Sequence, residues 1–134
     1  ETQVVLPLLE TDIMDIIEAV WEEKLDTLDI KWSDKSCACV VMASGGYPEK
    51  YETGKVISGL DENGQCEGAF VYHAGTKLED GKFLTAGGRV LGITAYGDTL
   101  KEALDTAYKA VDTISFEKAH YRHDIGKKAL SALK

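Results

Sequence analysis

The stretch that most constrains the fold runs from residue 69 to residue 97 and reads AFVYHAGTKLEDGKFLTAGGRVLGITAYG. Short apolar segments alternate in it with turn residues. Its Asp80-Gly81 pair is a strong β-hairpin signal, because both residue types tolerate the positive φ that such a turn requires. We therefore predict a strand over residues 69–73, and a short strand over residues 83–85 that returns antiparallel after the turn.

Other segments also have strand patterning. Residues 89–95 (RVLGITA) predict a long strand, in which Gly92 marks a bulge or a close contact. Residues 37–43 (CACVVMA) are a short apolar run, which is typical of a buried strand. Residues 55–60 (KVISGL) predict a further short strand, and alternating apolar residues favour a brief strand at residues 28–32.

The chain begins with a helical pattern over residues 4–27, whose apolar residues recur at helical spacing. The Thr11-Asp12 pair offers an alternative in which a fresh helix starts there, because Thr is a good N-cap and acidic residues suit a helix N-terminus. In that case residues 4–9 form a separate short segment.

A second helical pattern follows the strands. Residues 100–114 carry a continuous apolar stripe, and Thr99 and Glu102 have the spacing of a capping box. Residues 116–124 have no regular pattern, and residues 125–133 predict a short final helix. The order of helix, strands, helix and tail predicts an α+β fold with a mainly antiparallel sheet.

The composition is that of one compact globular domain with at most one flanking element. The chain has 134 residues and a net charge of −8, which argues against a general surface for nucleic acid or for anionic membranes. The longest apolar run, residues 37–43, is far too short to span a bilayer. The sequence begins Glu1-Thr2-Gln3, with neither an initiator methionine nor a basic signal region, so we expect a fragment or a processed product.

The three cysteines are an odd number for a disulfide framework. Cys37 and Cys39 are two residues apart in a predicted strand and face the same side, which is a spacing for packing rather than for bridging. We expect reduced thiols and a cytoplasmic protein, with a strained bridge to Cys66 as the alternative.

No self-contained catalytic constellation is present in the sequence. The histidines are His73, His120 and His123, and no cysteine or carboxylate pattern completes a metal site with the last two. We interpret those two as surface or packing residues. Residues 87–89 (GGR) are not followed directly by a helix, which a nucleotide-binding glycine motif would need.

Three glycine-containing bends lie at predicted strand ends: residues 44–47 (SGGY), residues 73–76 (HAGT) and residues 87–89 (GGR). If the strands are adjacent, the bends line one rim of the sheet. Backbone N–H groups in glycine-permitted conformations, together with an arginine, bind phosphate well. The bends therefore indicate either an anion site or ordinary connecting turns.

Four segments in series resemble the C-terminal portion of the glycinamide ribonucleotide synthetase family, also called phosphoribosylamine–glycine ligases. They are ETQVVLPLLETD at residues 1–12, KWSDKSCACVVMASGGYPEKYETGKVISGL at residues 31–60, FVYHAGTKLEDGKFLTAGGRVLGITAYGDTLKEA at residues 70–103, and FEKAHYRHDIG at residues 116–126. Together they cover nearly the whole chain in the family's order.

The resemblance implies an ATP-grasp enzyme of purine biosynthesis. In that family, ATP and Mg²⁺ activate the carboxylate of glycine as an acyl phosphate, and the amine of phosphoribosylamine then forms the amide. Residues 1–30 would be the helical tail of an ATP-grasp domain. Residues 31–134 would be the C-terminal domain, with a mainly antiparallel, barrel-like sheet and a packed helix. The partners implied are glycine, phosphoribosylamine, ATP and the upstream ATP-grasp subdomains, with no nucleic acid and no membrane.

The sequence departs from the family at its first residues. It begins inside the signature R-F-G-D-P-E-T-Q, of which only Glu1, Thr2 and Gln3 are present. The family's metal-binding Glu and Asn lie just upstream of this point, and ATP and Mg²⁺ are bound mainly by that upstream part. No metal ligand and no catalytic residue is therefore assigned, and we expect the isolated chain to be inactive.

The resemblance places the phosphoribosylamine side of the pocket at the three bends. The residues that it implies are Gly45, Gly46, Tyr47, His73, Gly75, Thr76, Gly88 and Arg89, with Lys77 as an additional candidate. Gly88 and Arg89 are expected to present an N–H group and a guanidinium to the phosphate.

A non-catalytic binding or scaffold domain of the same fold is the alternative. Such a free-standing module would hide the apolar side of its first helix, with Leu6, Leu9, Ile13 and Ile17, in its own core. A piece of the ligase would leave part of that side exposed, and this is what we predict.

Overall fold

The structure is a computed structural model and describes residues 1–133. The strands are β1 (Ser36–Ala43), β2 (Phe70–His73), β3 (Thr76–Glu79), β4 (Lys82–Thr85) and β5 (Arg89–Gly97). The helices are α1 (Thr2–Val5), α2 (Ile13–Trp21), α3 (Leu100–Val111) and α4 (Lys127–Ala132), with short 3₁₀ turns at Leu6–Leu8 and Leu25–Thr27. This mixture of helices and antiparallel strands is the α+β class that the sequence predicts.

The strands form two separate sheets. β1, β5 and β2 lie in that order in an antiparallel three-stranded sheet, and β3 and β4 form a two-stranded ribbon. The turn of the ribbon has Asp80 at φ 49° and Gly81 at φ 72°, which confirms the hairpin prediction. Because β3 and β4 pair only with each other as strands, neither sheet closes on itself within residues 1–133. The expectation of a barrel-like sheet is therefore wrong, because both sheets are open.

α3 packs on one face of the three-stranded sheet. Successive side chains of a strand point to opposite faces, and the buried residues Ala38, Val40 and Met42 of β1 share the face beneath the helix. The helix contributes its own buried stripe, which consists of Ala103, Leu104, Ala107, Ala110 and Val111. The capping box of Thr99 and Glu102 is confirmed, since both of its hydrogen bonds are present.

The N-terminal region is not one helix over residues 4–27. α2 begins after Asp12, whose carboxylate accepts a hydrogen bond from the Met14 N–H at 2.8 Å. The alternative of a fresh helix start is therefore confirmed, with Asp12 in place of Thr11 as the N-cap. The break arises because Leu9 is extended and pairs with Trp32.

Two predicted strands are wrong. The segment at residues 28–32 makes only the single bridge between Trp32 and Leu9. The segment at residues 55–60 is bridged to Leu84 through Val56, and to Ser115 through Ser58. Further backbone hydrogen bonds flank these bridges, for example from the Ile57 N–H to the Phe83 carbonyl, but both segments form isolated bridges and no continuous ladder.

The N-terminal segment covers part of the other face of the sheet. The Thr94 hydroxyl donates to the Gln3 carbonyl at 3.2 Å, and the Tyr96 hydroxyl donates to the Pro7 carbonyl at 3.2 Å. A Cβ on Gly92 would lie 2.5 Å from Oε1 of Gln3, so Gly92 marks a close contact, as one of the two predicted alternatives states.

A side chain occupies the outer edge of β2. Gln65 Nε2 donates to the Val71 carbonyl at 3.0 Å, and Gln65 Oε1 accepts from the Val71 N–H at 2.9 Å. All three cysteines are free thiols, as expected. Among the helices of residues 1–133, none has the length and apolarity needed to cross a bilayer.

Candidate functional site

Ser44 joins the bend at residues 44–47 to the bend at residues 87–89. Its backbone N–H donates to the Gly88 carbonyl at 2.8 Å, and its hydroxyl donates to the Gly87 carbonyl at 2.8 Å. Ser44 is only 2% exposed, so both hydrogen bonds are shielded from water. The two bends are therefore held at a fixed separation.

Gly75 brings the bend at residues 73–76 against the same backbone. Its N–H donates to the Arg89 carbonyl at 2.9 Å, and its carbonyl accepts from the Ala86 N–H at 2.7 Å. A Cβ on Gly75 would lie 2.6 Å from the Cα of Gly87, which is closer than real Cβ atoms approach. Only glycine permits this backbone contact.

Two other glycines of the bends lie under side chains. A Cβ on Gly88 would lie 2.2 Å from Cδ2 of Tyr47, whose ring is 6.1 Å from that of Tyr51 between centroids. A Cβ on Gly45 would lie 2.4 Å from the Cβ of Lys118. The Gly88 contact packs the first bend on the third, and the Gly45 contact packs it on the chain that follows α3.

Several glycine amides of the bends donate no backbone hydrogen bond in the described part of the chain. Within residues 1–133, the N–H groups of Gly45, Gly46, Gly87 and Gly88 have no backbone acceptor. Gly46 has φ 95°, a conformation that glycine adopts without strain. Neighbouring free N–H groups of this kind can bind an anion.

His73 uses both of its ring nitrogens within the protein. Nε2 lies 2.8 Å from the carbonyl oxygen of Gly64, and Nδ1 lies 2.9 Å from the hydroxyl of Thr76. Because a carbonyl only accepts, Nε2 carries the proton, and in the neutral ring Nδ1 accepts from Thr76. The ring also packs on Phe83, with centroids 5.1 Å apart. His73 therefore holds Thr76 and the turn at residues 61–64 in place.

A β-bulge decides where Arg89 points. Leu91 of β5 is buried on the α3 side, and in a regular strand Arg89 would point to the same side. The register shifts between Met42 and Ala43. Val90 therefore has no partner in β1, and Arg89 lies opposite Ala43. The shift turns the exposed Arg89 side chain to the other face of the sheet, where the N-terminal segment lies.

Arg89 lines a cleft of about 370 Å³ between the sheet and the N-terminal segment. The other lining residues are Glu1, Thr2, Gln3, Val41, Ala74, Leu91 and Gly92. No ion pair to the Arg89 guanidinium is present in the part of the chain that the structure describes. The cleft therefore has a cationic group at Arg89 and an anionic one at Glu1. A larger cleft of about 490 Å³ between α3 and α4 contains none of the predicted site residues.

The structure brings the three predicted bends together, but sequence reasoning did not identify every residue involved. Ser44 and Gly87 join the bends, and Gln3 lines the cleft beside Arg89. Ser44 and Gly87 flank the predicted glycines, so their position in the motifs was the available signal. Lys77 forms an ion pair with Glu79 in the ribbon and has no bond to the bends.

The described residues do not fit a metal site. Within residues 1–133, no group of three or more His, Cys, Asp or Glu side chains is placed to hold a metal ion. We therefore assign no Mg²⁺ ligand among these residues.

Comparison with known proteins gives matches over nearly the whole chain. Phosphoribosylamine–glycine ligase of Caldanaerobacter subterraneus subsp. tengcongensis is 54% identical over 93% of the chain, and that of Chlorobaculum tepidum is 50% identical over 97%. The chain spans only 29% and 31% of the length of these relatives. The bifunctional purine biosynthetic protein purD of Dictyostelium discoideum is 48% identical over 99% of the chain, which spans 16% of that protein.

A solved structure has the same fold. The crystal structure of phosphoribosylamine–glycine ligase from Thermotoga maritima matches 90% of this chain and 29% of its own, with a TM-score of 0.69 and 31% identity. Residues 37–128 match the family described as "Phosphoribosylglycinamide synthetase, C domain". With this match and with relatives so similar over nearly its full length, the chain belongs to the phosphoribosylglycinamide synthetase C-domain family.

Proposed function

We propose that this chain is the C-terminal part of an ATP-dependent ligase that joins glycine to phosphoribosylamine in purine biosynthesis. Two relatives named phosphoribosylamine–glycine ligase align with nearly the whole chain and support this assignment. The bond formed is the amide between the glycine carboxyl carbon and the amine of phosphoribosylamine. ATP supplies the phosphoryl group that activates the carboxylate, and that group leaves as phosphate.

In this proposal the three bends hold the phosphoribosyl group. The observation that carries it is the β-bulge, which turns Arg89 into the cleft directly after Gly87 and Gly88, whose N–H groups are free. A guanidinium and neighbouring N–H groups form charged hydrogen bonds with phosphate oxygens. Gly45, Gly46, Tyr47, Gly75 and Gly88 do not line the cleft themselves and are proposed to hold the bends on which Ala74 and Arg89 reach it, while His73 is proposed to position Thr76.

We also propose that residues 1–30 belong to an upstream ATP-grasp unit, which holds ATP and Mg²⁺. α2 supports this division, because none of its side chains is buried, and Ile17 and Trp21 are 53% and 85% exposed. The upstream unit would cover this apolar face. We place the protein in the cytoplasm, where free thiols such as those of this chain stay reduced.

The test is to graft this chain onto a relative. The chain replaces the matching part of the Caldanaerobacter subterraneus ligase, which is 54% identical to it. We expect the chimera to form the amide from glycine, phosphoribosylamine and ATP. Arg89→Ala in the chimera should raise the KM for phosphoribosylamine about tenfold or more and leave the KM for ATP nearly unchanged, since a charged hydrogen bond contributes roughly 1.5–3 kcal/mol.

The second arginine of the sequence provides the matched control. Arg122 is bonded to the Asp124 carboxylate at 2.9 Å and lies outside the bends, so Arg122→Ala should leave both KM values unchanged. Equal rises in both KM values for Arg89→Ala would overturn the phosphate role. A folded but inactive chimera would overturn the ligase proposal and favour the alternative of a non-catalytic binding domain.

A further inference from the structure

Gln3 lies in the cleft with an amide that the fold holds in one orientation. Its Oε1 accepts a hydrogen bond from the Cys39 thiol at 3.3 Å, and its backbone carbonyl accepts from Thr94 at 3.2 Å. Burial raises the pKa of the Cys39 thiol, so at neutral pH the sulfur keeps its proton and donates. The amide oxygen therefore faces Cys39, and the amide nitrogen faces away from it.

Gly92 leaves the space that the Gln3 amide occupies. A Cβ at Gly92 would lie 2.5 Å from Oε1 and 3.2 Å from Nε2 of Gln3. Gly92 is buried in the middle of β5, and its φ lies outside the left-handed region. Neither a turn nor a positive φ explains a glycine there, so the room for the Gln3 amide is its evident structural role.

The amide nitrogen of Gln3 is free to bind a ligand. No acceptor for Nε2 is present among residues 1–133. No buried side-chain nitrogen or oxygen of these residues lacks a hydrogen-bond partner, so Nε2 is accessible to solvent. Gln3 lines the same cleft as Arg89. An NH₂ group beside a guanidinium gives a phosphate two kinds of donor, of which the first is neutral and the second charged.

We propose that Gln3 is a ligand-binding residue of the Arg89 cleft, where its Nε2 donates a hydrogen bond to the phosphomonoester that Arg89 binds and Gly92 keeps the amide in place. The inference rests on the proposed phosphate role of Arg89 and adds a specificity-determining residue to it. It also gives the N-terminal segment a part in the site, because Gln3 is contributed from outside the bends.

The experiment titrates the full 134-residue chain with ribose 5-phosphate and follows side-chain N–H signals by NMR. The chain contains two glutamines, so Gln65 is an internal control: both of its amide atoms are already bonded to Val71. We expect the NH₂ signals of Gln3 and the Nε–H signal of Arg89 to shift with the same dissociation constant, while those of Gln65 stay in place. Ribose without phosphate should shift none of them.

Gln3→Glu separates ligand binding from packing. A glutamate at this position still offers an oxygen to the Cys39 thiol but no N–H to the ligand. We expect the variant to bind ribose 5-phosphate about tenfold or more weakly than the parent chain, because a hydrogen bond to a charged group is lost and a like charge is added. Because the added charge alone would repel a phosphate, Gln3→Ala is the neutral comparison, and an unchanged affinity in that variant would show a purely structural role of Gln3.

Gly92→Ala displaces the amide without removing it. The three atoms nearest to the methyl group all belong to the flexible end of Gln3, so the chain should remain folded while its affinity falls to a similar extent. In the double variant Gln3→Ala/Gly92→Ala the affinity should equal that of Gln3→Ala alone, since the methyl group then has no amide to displace. A further loss in the double variant would contradict the assigned role of Gly92.

The outcomes separate this inference from the proposed function. If Arg89→Ala abolishes binding but Gln3→Glu binds like the parent chain, the Gln3 inference is overturned and the phosphate role of Arg89 stands. If ribose 5-phosphate shifts neither residue, the phosphate role of this cleft fails, and the role of Gln3 fails with it. Shifts at Gln3 and Arg89 with the expected losses in the variants support both.

Discussion

The buried hydroxyl of Ser44 donates to the carbonyl of Gly87 at 2.8 Å, across 43 residues of sequence. The Ser44 backbone N–H donates to the next carbonyl, that of Gly88, at the same distance. One residue thus fixes two consecutive carbonyls of another bend. The geometry beside Arg89 depends on this connection, because Arg89 directly follows the bonded pair.

Removal of the Ser44 hydroxyl should destabilise the chain. In Ser44→Ala the partly buried Gly87 carbonyl is left without this donor, and we expect the free energy of unfolding to fall by about 1–3 kcal/mol. Urea denaturation measures the change. Ser131→Ala is the control, because its hydroxyl bonds a carbonyl on the exposed surface of α4 and its loss should cost less than about 0.5 kcal/mol. If both variants lost the same free energy of unfolding, the burial of the Ser44 hydrogen bond would make no difference to its contribution.

A side chain at Gly75 should separate two bends. Gly75→Ala puts a methyl group against the Gly87 backbone, which cannot move as a side-chain end can, and we expect a loss of about 3 kcal/mol in the free energy of unfolding. Gly54→Ala is the control, since Gly54 has φ 77° but no atom within 4 Å of the added methyl group. Its backbone strain alone should cost about 1–2 kcal/mol. A Gly54→Ala variant at least as unstable as Gly75→Ala would show that the close contact is unimportant.

The stability of the chain should fall in alkaline solution. Burial raises the pKa of Cys39, so the unfolded chain loses this proton at a lower pH than the folded chain does. The stabilisation is fully present below the ordinary thiol pKa of about 8.5 and is lost as the pH rises through the folded value. Cys37, Cys66, Tyr72 and Tyr96 are shifted in the same direction, mainly by burial.

Cys39→Ser tests this dependence, because serine keeps a donor to Gln3 but does not titrate in this range. We expect the variant to be less stable than the parent chain at pH 7 and the difference to shrink towards pH 10. Chemical denaturation under reducing conditions, at pH 7 and at pH 10, measures this difference in the free energy of unfolding. A difference that stays constant over this range would show that the Cys39 proton makes no contribution.

The apolar face of α2 should make the isolated chain associate or bind apolar dyes. Ile17→Lys removes part of this face, and we expect less association and less dye binding, with a change of no more than about 0.5 kcal/mol in the free energy of unfolding. Asp15→Asn changes the charge by the same amount on an exposed residue of the same helix and should leave association unchanged. Sedimentation velocity measures the association of both variants. A monomeric parent chain without dye binding would contradict the exposed-face interpretation.

Local features of the fold were predictable from the sequence, because neighbouring residues determine them. The Asp80-Gly81 turn needs only the φ preferences of two residue types, and the capping box needs only Thr99 and Glu102 at the right spacing. The strand predicted over residues 55–60 was wrong because distant residues, and not neighbouring ones, determine the conformation of this segment. Its apolar pattern suits a strand, but its two bridging partners belong to different parts of the fold.

The candidate site was predictable only in part for the same physical reason. The sequence placed the three bends on one rim of the sheet if their strands are adjacent, and in the structure Gly75 and Gly87 are in close contact. The direction of Arg89 was not predictable, because a register shift is a property of two paired strands and no residue type marks it. The contact of Gln3 with Gly92 joins residues far apart in sequence, so local patterns cannot indicate it either.

The side-chain amide of Gln65 has a consequence beyond this domain. The outermost strand of a sheet is a place where another molecule can add its own strand, and that process can continue into fibrils. At Val71 the two groups that such a strand would need are already taken by Gln65. An incoming chain would first have to displace an amide that is tethered six residues away, so this edge resists intermolecular growth although it faces outward.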